Sequence, residues 1–218
     1  MSIDDEKRIA AEAAAELVES GMRLGLGTGS TVAHLLPAIA RRNLTDIVCV
    51  STSPATEQLA REHGLATAPF ADVAAFDLAI DGADQVRSDW WLVKGGGAAH
   101  TREKLVAAAA ARFVVIVDSS KTVEWLCAPV PLELLPFGLP STLQRLRDGI
   151  GEVELRDVAH SPDGGVIADY QGDVGDPAQL AARLSAAPGV VEHGLFPPEM
   201  VSAVVVGRGG LPVWLERH

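Results

Sequence analysis

Lys94 and Glu103 stand on either side of three consecutive glycines, in the run W-L-V-K-G-G-G-A-A-H-T-R-E-K over residues 91–104. Three glycines leave the backbone free to take positive φ and let a ligand lie against it. A cation and a carboxylate bracketing such a strand-to-helix turn fit a small anionic ligand that undergoes proton transfer. A flexible turn before an amphipathic helix is the plainer reading of the same residues. Asp81 and Asp84 lie just upstream, in D-G-A-D. An aspartate at a strand end is ordinary turn chemistry. Two of them close in sequence to Lys94 and Glu103 are harder to dismiss.

A second candidate is G-L-G-T-G-S-T, residues 25–31. Read as strand, turn and helix start, it offers free N–H groups and the positive end of a helix dipole, a combination that binds phosphate. The hydroxyls of Thr28, Ser30 and Thr31 add donors. A dinucleotide fingerprint would need Gly at position 30, which is Ser, and no G-K-[ST] follows to make a P-loop. A phosphate monoester fits better; a Ser30 or Thr31 that only caps the helix is the alternative. Lys121 follows a strand in V-D-S-S-K, and Lys7 lies early in the first helix, where most lysines are merely solvated.

The elements that must position these residues alternate. Helix 4–20 shows Ile9, Ala13 and Leu17 at four-residue spacing and ends before Gly21. Strand 22–26 leads through the 25–31 turn into a helix with Val32, Leu35, Leu36 and Ile39. Strand 47–50 follows, then a helix capped by Ser53 with Pro54 first. A short strand is expected at 67–70, a better one at 76–80, a helix at 98–111 and a strand at 113–117. Four β-α repeats with short connections predict a doubly wound, mostly parallel sheet, whose strand carboxyl ends bind ligands. The proline-rich run P-V-P-L-E-L-L-P-F-G-L-P (129–140) marks a change of path. Beyond it come helix 141–147, strands 153–155 and 165–170, helix 177–186 and a strand near 190–193, an α+β order of the split-βαβ kind. Strand 201–206 returns to the main sheet.

The chain has 218 residues, 48% hydrophobic and 22% charged, with a net charge of −11. That length supports a substantial core. The acidic balance argues against nucleic acid or an anionic membrane as partner. Two cysteines, neither in a ligand spacing, and scattered histidines predict no disulfide scaffold and no metal. The charged N-terminus lacks a secretory h-region and no apolar run spans a bilayer, so a cytoplasmic protein is expected.

Taken in order, these motifs resemble ribose-5-phosphate isomerase of the A type. The matching blocks are 25–31, T-S-P-A-T-E-Q-L-A (52–60), D-L-A-I-D-G-A-D (77–84), K-G-G-G-A-A-H-T-R-E-K (94–104), V-D-S-S-K (117–121), P-L-E-L-L-P-F-G (131–138) and G-V-V-E-H-G-L-F (189–196). The resemblance implies interconversion of ribose 5-phosphate and ribulose 5-phosphate through an enediolate, without metal or cofactor. It implies Glu103 as the base between C1 and C2, with Asp81, Asp84 and Lys94 handling hydroxyl protons, ring opening and enediolate charge. Substrate contacts would come from Lys7, Thr28, Gly29, Ser30, Thr31, Asp81, Gly82, Ala83, Asp84, Lys94, Gly95, Gly96, Gly97 and Lys121. It also implies a Rossmann-like catalytic domain (1–128 plus 203–218) with a smaller inserted α+β, ferredoxin-like domain (129–202), in a homodimer or homotetramer. Three positions depart from the family: Gln85 stands where Glu is usual, His100 lies in an unusual A-A-H, and 196–201 differs. Two other readings compete. A sugar-phosphate sensor would not need all four polar residues and would carry a DNA-binding helix-turn-helix. A transferase would form a covalent intermediate on Glu103.

Overall fold

The inner strands of the main sheet are almost wholly apolar and covered on both faces, as a parallel sheet requires: F-V-V-I-V-D at 113–118 is buried at every position, whereas the antiparallel edge strand at 211–216 is largely exposed. The computed structural model describes residues 2–216. In chain order the elements begin with α1 (Ile3–Ala15), β1 (Arg23–Leu26), α2 (Ser30–Arg41), β2 (Val48–Ser51), α3 (Pro54–Glu62), β3 (Leu78–Asp81), β4 (Gln85–Arg87), β5 (Leu92–Val93), α4 (His100–Ala108), β6 (Phe113–Asp118) and β7 (Thr122–Val123). They continue with β8 (Val130–Leu134), α5 (Leu139–Gly149), β9 (Val153–Leu155), β10 (Val166–Tyr170), α6 (Pro177–Ser185), β11 (Val190–His193), β12 (Leu195–Phe196), β13 (Ala203–Arg208) and β14 (Leu211–Glu216). The chain divides into two compact units. The first holds residues up to Ala83, Arg102–Thr122 and the chain from Glu199; the second holds Asp84–Thr101 and Val123–Pro198.

The first unit is a six-stranded sheet of order β14-β13-β6-β3-β1-β2. All its pairings are parallel except β13 with β14. The chain runs from β1 out to β2 and then back across β1 to β3, so the strand order reverses at β1. Ligands of open α/β sheets bind beside such a reversal, at the strand carboxyl ends. The core here joins Leu24, Leu26, Leu35, Leu36, Ile80 and Ile116.

The second unit contains a four-stranded antiparallel sheet of order β11-β8-β10-β9, with α5 after β8 and α6 after β10. This β-α-β-β-α-β path is the ferredoxin-like arrangement that the family resemblance implies. Its core includes Val130, Leu132, Leu134, Leu146, Val153 and Leu184. A second small sheet has the order β12-β5-β4-β7.

Several expectations change in detail. α1 stops at Ala15 and buries Ala10, Ala11, Ala14 and Ala15, while Ile9, Ala13 and Leu17 flank that face. The alanines allow a close approach: a side chain on Gly207 of β13 would lie 1.9 Å from the Glu6 carbonyl oxygen. The expected strand at 67–70 is a lone bridge from Thr67 to Cys49 and then a 3-10 turn, because Pro69 has no N–H to extend a ladder. The helix expected over 98–111 spans only His100–Ala108, with Ala98 left-handed at φ +59°. The proline-rich run holds β8, a central strand. β14 was not foreseen; it pairs with β13 across Gly209 and Gly210, both at positive φ, the signature of a two-residue hairpin turn.

Candidate active site

The first unit gathers most of the predicted anion contacts at the reversal beside β1. Gly27 approaches Asp81 so closely that a Cβ there would sit 1.8 Å from the carboxylate. Asp81, at the end of β3 and only 3% exposed, accepts the backbone N–H groups of Thr28 (3.2 Å) and Gly82 (2.7 Å) on one oxygen. Gly29 takes φ +110° and opens α2, whose first turn contains Ser30 and Thr31. The Thr28 hydroxyl lies 2.8 Å from that of Ser53 and accepts from that of Thr56 at 3.0 Å. Ser53 also caps α3, as expected from its place before Pro54. A cavity of about 310 Å³ opens here, lined in part by Thr28, Gly29, Ser30, Thr56 and Leu59.

Helix α1 braces two of these strand ends from adjacent residues. Lys7 Nζ donates to the Ser30 hydroxyl at 2.9 Å, so it meets the turn rather than plain solvent. Glu6 accepts from the backbone N–H (3.0 Å) and hydroxyl (2.6 Å) of Ser119, in the 3-10 turn that carries Lys121. The Ser119 hydroxyl, followed by its backbone N–H, holds the Glu6 carboxyl below the usual glutamate range. Glu103 lies in the first turn of α4, 4% exposed, near the positive end of the helix dipole. One turn on, Val106 packs over Gly25 of β1, where a Cβ would come within 2.3 Å of its methyl. The missing side chain at position 25 is what lets the helix bearing Glu103 settle on that strand.

The second unit gathers the other predicted residues. Asp84 accepts the Gly96 backbone N–H at 2.7 Å, and a Cβ on Gly96 would fall 2.7 Å from the same carboxylate. Lys94 follows β5; its backbone N–H donates to Gly194 O at 2.8 Å. Its ammonium, on a residue 2% exposed, stands 5.5 Å from the ring centroid of Phe196, a cation–π distance. Gly95 is at φ +108°, with the imidazole of fully buried His100 against it. His100, the unusual residue of the sequence, thus packs beneath the glycine turn. Gly97 is exposed, and Ala98 turns back to donate to Gly95 O at 3.0 Å.

Sequence reasoning missed Glu6, Ser53, Thr56, Phe196, Glu133 and Arg156. Ser53, Thr56, Glu133 and Phe196 lay inside matching blocks, and of these only Ser53 was singled out, as a capping residue. Glu6 and Arg156 carry no local signal; they matter through partners distant in the chain. Among the described residues no three His, Cys, Asp or Glu side chains group in a way that could hold a metal ion. Among the described residues no helix is long and apolar enough to cross a membrane.

Comparison with known proteins identifies relatives in both sequence and fold. The family model described as ribose 5-phosphate isomerase A (phosphoriboisomerase A) matches residues 48–210. The ribose-5-phosphate isomerase A of Caulobacter sp. (strain K31) is 50% identical over 207 residues, 90% of this chain and 91% of that protein. That of Methanosarcina acetivorans is 48% identical over 202 residues, 88% and 86% of the two chains. A structure of D-ribose-5-phosphate isomerase in complex with phospho-erythronic acid superposes with a TM-score of 0.93 at 36% identity, covering 100% of both chains. The ribose 5-phosphate isomerase A structure from Neisseria gonorrhoeae gives 0.94 at 31% identity, covering 99% of this chain and 97% of that one. On this evidence of sequence and fold together, the chain belongs to the ribose 5-phosphate isomerase A family.

Proposed function

We propose that Glu103, Asp81, Asp84 and Lys94 carry the chemistry of this isomerase, which interconverts D-ribose 5-phosphate and D-ribulose 5-phosphate. Glu103 takes the proton from C2 of the open-chain aldose and returns it to C1. The intermediate is an enediolate, and one hydroxyl proton moves from O2 to O1. A positioned carboxylate is the natural base for such a transfer. Lys94 supplies fixed positive charge where the oxyanion develops, in a setting drier than bulk water. Asp81 and Asp84 exchange the hydroxyl protons and assist opening of the sugar ring. Thr28, Gly29, Ser30, Thr31, Lys7 and Lys121 hold the phosphate, which fixes the reacting carbons by proximity. Gly82, Ala83 and the backbone of Gly95–Gly97 complete the contacts to the sugar.

The observation that carries the reading is the bond from Thr28 N–H to Asp81. It ties the anion-type turn and a site carboxylate together at the reversal of the sheet. The phospho-erythronic acid bound to the related isomerase is a four-carbon acid phosphate of similar chemistry. The decisive experiment follows ketopentose formation from ribose 5-phosphate in metal-free buffer. Folded protein without turnover refutes the assignment. The resemblance extends to a cytoplasmic homodimer or homotetramer, which light scattering after gel filtration tests; a monomer at micromolar concentration overturns it.

A further inference from the structure

Arg156, the residue after β9, reaches the glycine turn from sixty residues away. Its Nη1 donates to Gly95 O at 3.0 Å and to Gly96 O at 3.2 Å. The rest of its guanidinium is engaged by Asp169 of β10: Nε donates to one carboxylate oxygen at 2.9 Å and Nη2 to the other. The two side chains are only 19% and 15% exposed. The Arg156 backbone is fixed as well, its N–H donating to Ile167 O at 3.0 Å.

One peptide unit lies at the centre of this arrangement. The carbonyl of Gly95 faces the arginine, and the N–H of the same peptide, on Gly96, faces Asp84 at 2.7 Å. Cation, peptide and carboxylate polarise one another in series, which strengthens each bond. Glycines at 95 and 96 leave this peptide otherwise free to rotate, since Gly95 already lies at φ +108°. A surface ion pair needs no such aim, and is worth little in itself. A planar fork that holds one carboxylate and two adjacent carbonyls is a task for arginine and not for the point charge of lysine.

We propose that Arg156, oriented by Asp169, is a positioning residue for the isomerase reaction. It locks the Gly95–Gly96 peptide so that Asp84 stays aligned and the 95–97 backbone keeps the shape that meets the sugar. The proposal rests on the site reading above, in which Asp84 and these glycines touch substrate.

R156K, R156Q and D169N are compared with the unaltered chain by steady-state kinetics, thermal melting and amide exchange of the segment 94–99. For the arginine variants kcat falls about 10- to 100-fold, the scale of a small misplacement in a site. KM changes by less than about threefold, because the phosphate contacts at Thr28–Thr31 are untouched. Exchange at Gly96 speeds at least about tenfold, while the amides of the six-stranded sheet stay protected. D169N shows a weaker form of the same pattern, and decides the matter if an arginine variant does not fold. Turnover within about twofold of the unaltered chain, a change confined to KM, or unaltered Gly96 exchange would each overturn the proposal. Absence of isomerase activity in the unaltered chain sinks the site reading instead, and the exchange measurement still judges the clamp.

Discussion

The backbone N–H of Thr28 donates to the Asp81 carboxylate at 3.2 Å, joining the turn after β1 to the acid that ends β3. The bond exists because Gly27 has no side chain: a methyl there would overlap Asp81 at 1.8 Å. Gly27→Ala is therefore expected to displace the acid, lowering kcat at least about tenfold and stability by about 1–3 kcal/mol. Gly29→Ala meets nothing within 4 Å, and its cost is backbone strain at φ +110°, of order 1–3 kcal/mol. Urea unfolding and turnover of the two variants separate collision from strain.

Replacing Glu103 by Gln keeps the shape of a buried side chain and removes its basicity. Turnover should fall about 10²- to 10⁴-fold, with the melting temperature nearly unchanged. An isomerase assay on the folded variant decides it, and near-normal turnover would remove Glu103 from the role of base.

Glu133 is a buried carboxylate, 2% exposed, in the centre of the antiparallel sheet. The hydroxyls of Thr101 and Ser161 each donate to it, and Gly165 leaves room for it. Glu133→Ala strips both donors of their acceptor and opens a cavity. The expected loss is about 2–3 kcal/mol, read from the midpoint of urea unfolding. A loss smaller than about 0.5 kcal/mol would show that the buried network adds nothing.

The two cysteines should differ sharply in reactivity. Burial pushes the Cys49 thiol up to about 12, whereas Cys127 is exposed. The thiolate is the reactive form, so a thiol reagent at neutral pH should modify Cys127 alone until the protein unfolds. The same shift makes alkali unfavourable to folding. The unfolded thiol ionises near 9.0 and the folded one near 12, so stability falls as pH rises between them and is untouched by this group below that range. Replacing Cys49 by Ala should flatten that part of the pH–stability curve.

Much of the fold was legible because its signals are local. Uninterrupted apolar strands such as Phe113–Val117, ended by Asp or Gly, announce a covered parallel sheet. Ser53 before Pro54 announces the start of α3. The candidate residues Thr28, Asp81, Asp84, Lys94 and Glu103 were readable for a related reason: each lies in or beside a turn or helix start, where few residue types serve. β8 was not readable, since Pro131 and Pro136 mask a strand whose partners, β10 and β11, lie well downstream. α1 was read one step out of phase, because its alanine face is chosen by the close approach to β13 and not by its largest side chains.

The sequence by itself determined the alternation of elements, the two glycine-rich turns and the carboxylate and lysine residues proposed for the site. Those depend on backbone propensities and neighbours a few residues apart. Only the tertiary structure decided that Lys7 meets Ser30, that Val106 fits the gap at Gly25 and that Arg156 holds the peptide between Gly95 and Gly96. Each joins residues separated by 23 or more positions, and such contacts arise from packing that no local pattern encodes.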